Sequence, residues 1–218
     1  EKASGQRYAD FLQQHIFAKL DMKDTGELED QDIVPGLATG YCPWLGPQGL
    51  GRAFLHSVAN GRGPGSLYST VGDLYKWDRS FQGTIVLSEA AKAQMLSEEK
   101  GFGTGISRKW GRLCIGHNGV YYGYTGFIER YPAEEVSILY LGNIETGGSI
   151  DPLQAALSAI VFGQPYEPAE AYALEGAAHL QGLVQYSGRY EVFPGFILTV
   201  KVERGHLLLG AGDGFFPL

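Results

Sequence analysis

Leu113-Cys114-Ile115-Gly116-His117-Asn118-Gly119-Val120-Tyr121-Tyr122-Gly123-Tyr124-Thr125-Gly126-Phe127 is the stretch on which the fold turns. Apolar and aromatic residues alternate here with glycines and one imidazole, the pattern of a strand whose backbone comes close to something else. A ligand is one candidate. Glycine at 116, 119 and 123 would let a substrate reach main-chain N–H groups, and His117 supplies an ionisable imidazole. The plainer reading is a Gly- and Tyr-rich hairpin in an ordinary sheet, its histidine satisfied within the fold.

Working outward, the hydrophobic period is two from about residue 103. Residues 103–108, 111–117, 124–131 and 135–142 read as antiparallel strands, joined by Lys109-Trp110-Gly111, by a Gly119–Gly123 turn and by Pro132-Ala133-Glu134. Asp151-Pro152 opens a helix with Leu153, Ala156, Leu157, Ile160 and Val161 on the face that lies on this meander. Upstream, Tyr8, Phe11, Leu12, His15, Ile16 and Leu20 predict an amphipathic helix over about 5–19. Asp21 to Asp32 imitates a calcium loop but places Lys23 where an oxygen ligand belongs, so a capped turn is the better reading. From Pro35 to Gly65 the chain is dense in Gly and Pro, with Tyr41, Trp44, Leu45, Phe54 and Leu55 among them; a packed excursion is expected. Thr70, with Asp73 three residues on, starts a helix that buries Leu74, Trp77 and Phe81; Ser88 caps another that Gly101 stops. Downstream, Gln164 to Glu175 reads as a linker, and Gly188–Phe193, Phe196–Glu203 and His206–Leu209 as strands opening a small β domain. The fold class is α+β, an antiparallel meander packed with helices. The division is 1–163, a linker at 164–180, and 181–218.

The composition excludes several classes. The 218 residues are 44% hydrophobic, enough for a core, and the formal net charge of −7 leaves no basic face for nucleic acid. Cys42 and Cys114 sit in no metal-ligand spacing, no cofactor motif is present, and no apolar run approaches the ~20 residues of a membrane helix.

Several pieces in fixed order resemble the serine β-lactamase and penicillin-binding-protein-like hydrolases, in the branch of class C β-lactamases, esterases and D-amino-acid peptidases. They are Ile16-Phe17-Ala18-Lys19-Leu20-Asp21-Met22-Lys23-Asp24-Thr25, then Gly40-Tyr41, then Gly65-Ser66-Leu67-Tyr68-Ser69-Thr70-Val71-Gly72-Asp73-Leu74. Gly116-His117-Asn118-Gly119 with Gly123-Tyr124, and Ile138-Leu139-Tyr140-Leu141-Gly142-Asn143, complete the match over about 5–163. Tyr186-Ser187-Gly188-Arg189-Tyr190-Glu191 looks like the opening of a β-barrel often appended to this family.

The resemblance implies a site of three motifs: a Ser-x-x-Lys nucleophile, a Tyr-x-Asn relay, and a Lys-x-Gly or His-x-Gly strand. His117-Asn118-Gly119 corresponds to the third, and the Val120 N–H would be an oxyanion-hole donor. No tyrosine has asparagine two places on. Ser97-Glu98-Glu99-Lys100 fits the first motif by letter, but it ends a helix beside two carboxylates, and Ser69 lacks a lysine one turn on and reads as a cap. The expectation is therefore the C-terminal portion of a serine hydrolase acting on an amide, ester or β-lactam, inactive alone, with His117, Asn118, Gly119 and Val120 as substrate-binding residues. A non-catalytic binding module on the same scaffold is the alternative. Partners expected are a small-molecule or peptide acyl substrate, and another strand on the unpaired sheet edge around Val136–Leu141, from a second copy or the N-terminal half. The resemblance implies a periplasmic or secreted bacterial protein, although no signal-peptide pattern is read at the start.

Overall fold

The computed structural model describes residues 1–42, 50–53, 57–97, 102–145, 150–167, 182, 184–193, 195–203, 206–211 and 214–217. Helix α1 (Tyr8–Leu12) runs directly into a π-helical turn at Gln13–Phe17. There Ala18 N–H bonds to the Gln13 carbonyl and Met22 N–H to the Phe17 carbonyl, five residues back. Such a turn shifts the helix face. Phe17 and Met22 are buried while Phe11 of the expected stripe is exposed, so the unbroken 3.6-residue period over 5–19 is corrected here.

Short strands β1 (Gly26–Glu27), β2 (Tyr41–Cys42), β3 (Gly51–Arg52) and β4 (Leu67–Tyr68) follow, β1 pairing with β4 and β2 with β3. Trp44, Leu45, Phe54 and Leu55 lie outside the described residues. Helix α2 (Val71–Arg79) begins as its sequence predicts, Thr70 Oγ1 accepting the Asp73 N–H at 3.2 Å. Its packing differs from the expected apolar stripe. Leu74, Trp77 and Phe81 are half-buried, and the fully buried residues are Asp73 and Asp78. Each carboxylate is buried because it is paired. Burial alone would raise the Asp73 acid, but hydrogen bonds from Lys76, the Asp24 N–H and Thr25 outweigh it and hold the group low. Asp78 accepts from Arg130 at 2.7 Å and Ser137 at 2.5 Å, which fastens α2 to the sheet. Lys76 also donates to the Asp21 carbonyl, so a side-chain ammonium occupies one end of the loop that imitates a calcium site. Helix α3 (Glu89–Met95) is capped by Ser88; Gly101, its expected stop, lies outside the described residues.

Strands β5 (Gly105–Lys109), β6 (Arg112–Tyr121), β7 (Tyr124–Tyr131) and β8 (Val136–Gly142) form the meander, in spatial order 5-6-7-8. β6 is longer than its sequence predicts: the turn is Tyr122-Gly123 alone, not Gly119–Gly123. Both turn residues have positive φ, 37° and 86°, as do Trp110 and Gly111 in the preceding turn, at 48° and 78°. Two such residues make the tight hairpin whose twist matches the strands. Helix α4 (Asp151–Val161) covers one face, where Cys114, Phe127, Tyr131, Ile138 and Ile150 form the core with Leu153, Leu157 and Phe162 against them. Each large apolar side chain closed off there contributes about 1.5–3 kcal/mol. Ile160 and Val161 of the expected face are exposed, and Ser158 and Ala159 are buried instead. The helix is rotated because Ser158 and Gln154 turn inward to Glu129 on β7.

Strands β9 (Gly188–Phe193), β10 (Phe196–Glu203), β11 (His206–Ala211) and β12 (Gly214–Pro217) form a second antiparallel sheet, in order 12-11-10-9. β12 was not read from the sequence. Most of the expected linker lies outside the described residues, and among those described no helix is long and apolar enough to cross a membrane.

Candidate active site: the free edge of a strand

The two hairpins that flank β6 fix which way each of its peptide groups points. Residues flanking a two-residue turn exchange hydrogen bonds, and the bonding direction then alternates along the strand. Tyr121 pairs with Tyr124, so Tyr121, Gly119 and His117 bond toward β7; counting from the Arg112–Lys109 pair, Arg112, Cys114 and Gly116 bond toward β5. The two counts agree in phase. Asn118 and Val120 therefore direct their main-chain N–H and C=O to the β5 side, where β5 has already ended at Gly105, opposite Gly116.

The expected site residues are brought together on this edge. His117, Asn118, Gly119 and Val120 are consecutive and exposed. The His117 imidazole is exposed, and no hydrogen-bond partner for it is found among the described residues. Asn118 Nδ2 donates to Asp151 Oδ1 at 3.4 Å, at the start of α4. The glycines divide. A Cβ at Gly119 would meet nothing within 4 Å, so the space before it is open to a ligand. At Gly116 a Cβ would strike the Ile128 carbonyl, and at Gly123 it would lie 2.6 Å from Ala53 Cβ and 2.8 Å from Tyr41 N. Those two glycines answer to the protein's own backbone, which corrects the expectation that all three clear a path for substrate.

Beneath the edge lies a cluster that sequence reasoning missed. Glu129, 1% exposed, accepts from Lys109, from Tyr131 Oη at 2.8 Å, from Gln154 Nε2 at 2.7 Å and from Ser158. Burial alone would raise its acid, but the bonds from Lys109, Ser158 and Tyr131 outweigh that and hold it low. The same burial pushes the Tyr131 phenol and the Cys114 thiol up. The signal was available: a carboxylate between Phe127 and Tyr131 on the inward face of a strand requires partners. Glu129 stands opposite Gly116 in register, so it ties β5, β7 and α4 directly under the free edge. A cavity of about 720 Å³ opens beside it, bordered by Thr104, Lys109, Gly116, His117, Asn118 and Asp151.

The serines fall elsewhere. Ser158 shares the cluster with a lysine and a tyrosine, but it is 0% exposed and no substrate reaches it. Ser69 Oγ lies 2.8 Å from Thr25 Oγ1, and the cap is Thr70 rather than Ser69. Ser97 Oγ donates to the Gln94 carbonyl at 3.2 Å, and Glu98, Glu99 and Lys100 lie outside the described residues. The hairpin tip is fastened by Glu145, which accepts the Gly123 N–H at 3.0 Å and the Cys42 thiol at 3.4 Å. Burial, then that carboxylate, pushes Cys42 up to about 11.

The chain is similar to known proteins in sequence and in fold. Residues 1–161 match the family model described as Beta-lactamase. Penicillin-binding protein 4* of Bacillus subtilis (strain 168) is 28% identical over 235 residues, covering 96% of this chain and 51% of that protein. The octameric penicillin-binding protein homologue from Pyrococcus abyssi superposes with a TM-score of 0.64 at 22% identity, covering 100% of this chain and 51% of its own. A D-stereospecific amidohydrolase from Streptomyces sp. gives 0.63 at 18% identity, covering 76% and 51%. The chain spans about half the length of these relatives. Fold and family match converge: the chain belongs to the serine β-lactamase and penicillin-binding-protein-like hydrolase family.

Proposed function

We propose that this chain supplies one wall of an acyl-transfer site, the edge of β6 at His117, Asn118, Gly119 and Val120, and that the attacking hydroxyl comes from a segment outside it. The substrate would be an amide, ester or β-lactam, attacked through an acyl-serine. What carries this reading is the register that aims the Asn118 and Val120 peptide groups at open space. An extended acyl donor would pair with them as an added strand, the Val120 N–H would bond the carbonyl oxygen as it gains charge, and His117 would add a hydrogen bond. The chain alone would not turn over such a substrate. Incubation with a fluorescent acylating probe is expected to label nothing in this chain by itself, and to label the mixture when the N-terminal half of a relative is added. A serine adduct on the chain alone would refute the division of labour.

A second edge supports the same reading. On β8 the register directs the peptide groups of Ser137, Leu139 and Leu141 away from β7, and Leu141 is 43% exposed. Such an edge takes another strand, from a second copy or from the other half.

A further inference from the structure

We propose that the cavity beneath the free edge of β6 receives a basic side chain of the ligand, its ammonium or guanidinium held by Asp151 and Gln154 at the start of α4. This rests on the reading of that edge given above and names the class of ligand it takes. β5 ends at Gly105, opposite Gly116, so a ligand strand bonded to Asn118 and Val120 lies in the line that β5 leaves. Residues opposite each other on adjacent strands point their side chains to the same face. Asn118 pairs on its other side with Phe127 of the core and bonds to Asp151, so its face is the one that α4 covers. The ligand residue opposite Asn118 therefore aims its side chain at α4, where the cavity of about 720 Å³ opens.

The chemistry of that wall selects the side chain. Asp151 is exposed in the first turn of α4 and borders the cavity, and Gln154 follows three residues on, on the same flank of the helix. Gln154 Nε2 donates to Glu129 at 2.7 Å. That bond fixes the amide, because a carboxylate takes only the N–H₂ end, and it leaves the carbonyl end for another partner. Gln154 Oε1 has no hydrogen-bond partner among the described residues. Two acceptors, one of them charged, thus stand one turn apart on the cavity wall. Lys109 borders the same cavity, but its ammonium is already matched by Glu129. Of the charged groups described there, that pair cancels and, with the imidazole of His117 neutral, Asp151 sets the sign. The formal net charge of −7 favours the approach of a cation at longer range.

The 218-residue chain is titrated by NMR with N-acetylated trialanine amide and with variants carrying lysine, norleucine or glutamate at each position in turn. At one position, the one opposite Asn118, lysine is expected to bind about fivefold more tightly than norleucine, and glutamate more weakly than either. Added salt should narrow the gap. Asp151→Asn, at an exposed position and of the same shape, is expected to cut the lysine preference to about twofold or less. General attraction of a cationic peptide to an acidic chain would raise all three lysine positions alike and survive that substitution. No lysine preference at any position, an equal one at all three, or one that Asp151→Asn leaves intact overturns the assignment, while shifts at Asn118 and Val120 still uphold the edge. If no peptide of the set moves those two resonances, the edge reading fails and this inference with it.

Discussion

Glu129→Gln is the substitution that loads the site's foundation most heavily. The carboxylate is 1% exposed and accepts from four side chains on β5, β7 and α4. Glutamine keeps the shape but replaces one acceptor oxygen with an N–H₂ among donors, and it leaves the Lys109 ammonium without its counter-charge. Removing one partner of a buried pair costs about 3–5 kcal/mol. The Lys109 side chain is 27% exposed and reaches the cavity, so water recovers part of that, and about 3 kcal/mol remains. For a chain of this size that lowers the melting temperature by roughly 6–12 °C. The pH dependence follows from the sign. The Glu129 acid is held below its ordinary value of 4.5 in the folded state, so its contribution is full above that pH and fades as pH falls further. Urea unfolding followed by circular dichroism, at pH 7 and stepwise below 4.5, measures both. A Glu129→Gln chain within 1 kcal/mol of the original at pH 7, or one that loses stability on acidification as steeply as the original, would refute the hub.

The remaining tests address separate parts of the fold. Gly123→Ala places a Cβ at φ +86° and 2.6 Å from Ala53 Cβ, and is expected to destabilise by about 2 kcal/mol or more and to move the Val120 amide resonance; an unchanged melt would contradict it. Cys42, with its thiol pushed to about 11, should resist iodoacetamide at pH 8, since only about one molecule in a thousand carries the thiolate; rapid alkylation in the folded chain counts against the Glu145 clamp. Leu141→Lys puts a charge on the outer edge of β8 and should lower the sedimentation coefficient of any associated species toward that of one chain, whereas unaltered association would place the contact elsewhere.

The meander was legible because its side chains alternate cleanly from Phe127 to Tyr131, and the caps at Thr70 and Ser88 because each has a local mechanism. What the sequence hid is tertiary. The length of β6 depended on Tyr122 accepting a positive φ, a cost that the Gly123 contact with Gly40 and Tyr41 makes worthwhile, and Gly119 looked like a turn residue for that reason. The inward rotation of α4 follows from Glu129, 25 residues before Gln154 in the chain, and no helical period encodes it. The π-helical turn likewise left no mark in the spacing of Tyr8 to Leu20. His117, Asn118, Gly119 and Val120 could be named from motif and resemblance, whereas the pairing of Glu129 with Lys109, Gln154 and Ser158 is visible only once its surroundings are built.

The free edge of β6 is tested most directly by amide hydrogen exchange at Asn118 and Val120, read by NMR in the presence and absence of an N-acetylated tripeptide amide. The account predicts fast exchange at these two positions in the free chain, slow exchange at His117 and Gly119 beside them, and protection of both once the peptide is added. Protection of Asn118 and Val120 already present in the free chain, or none gained with peptide, would contradict it.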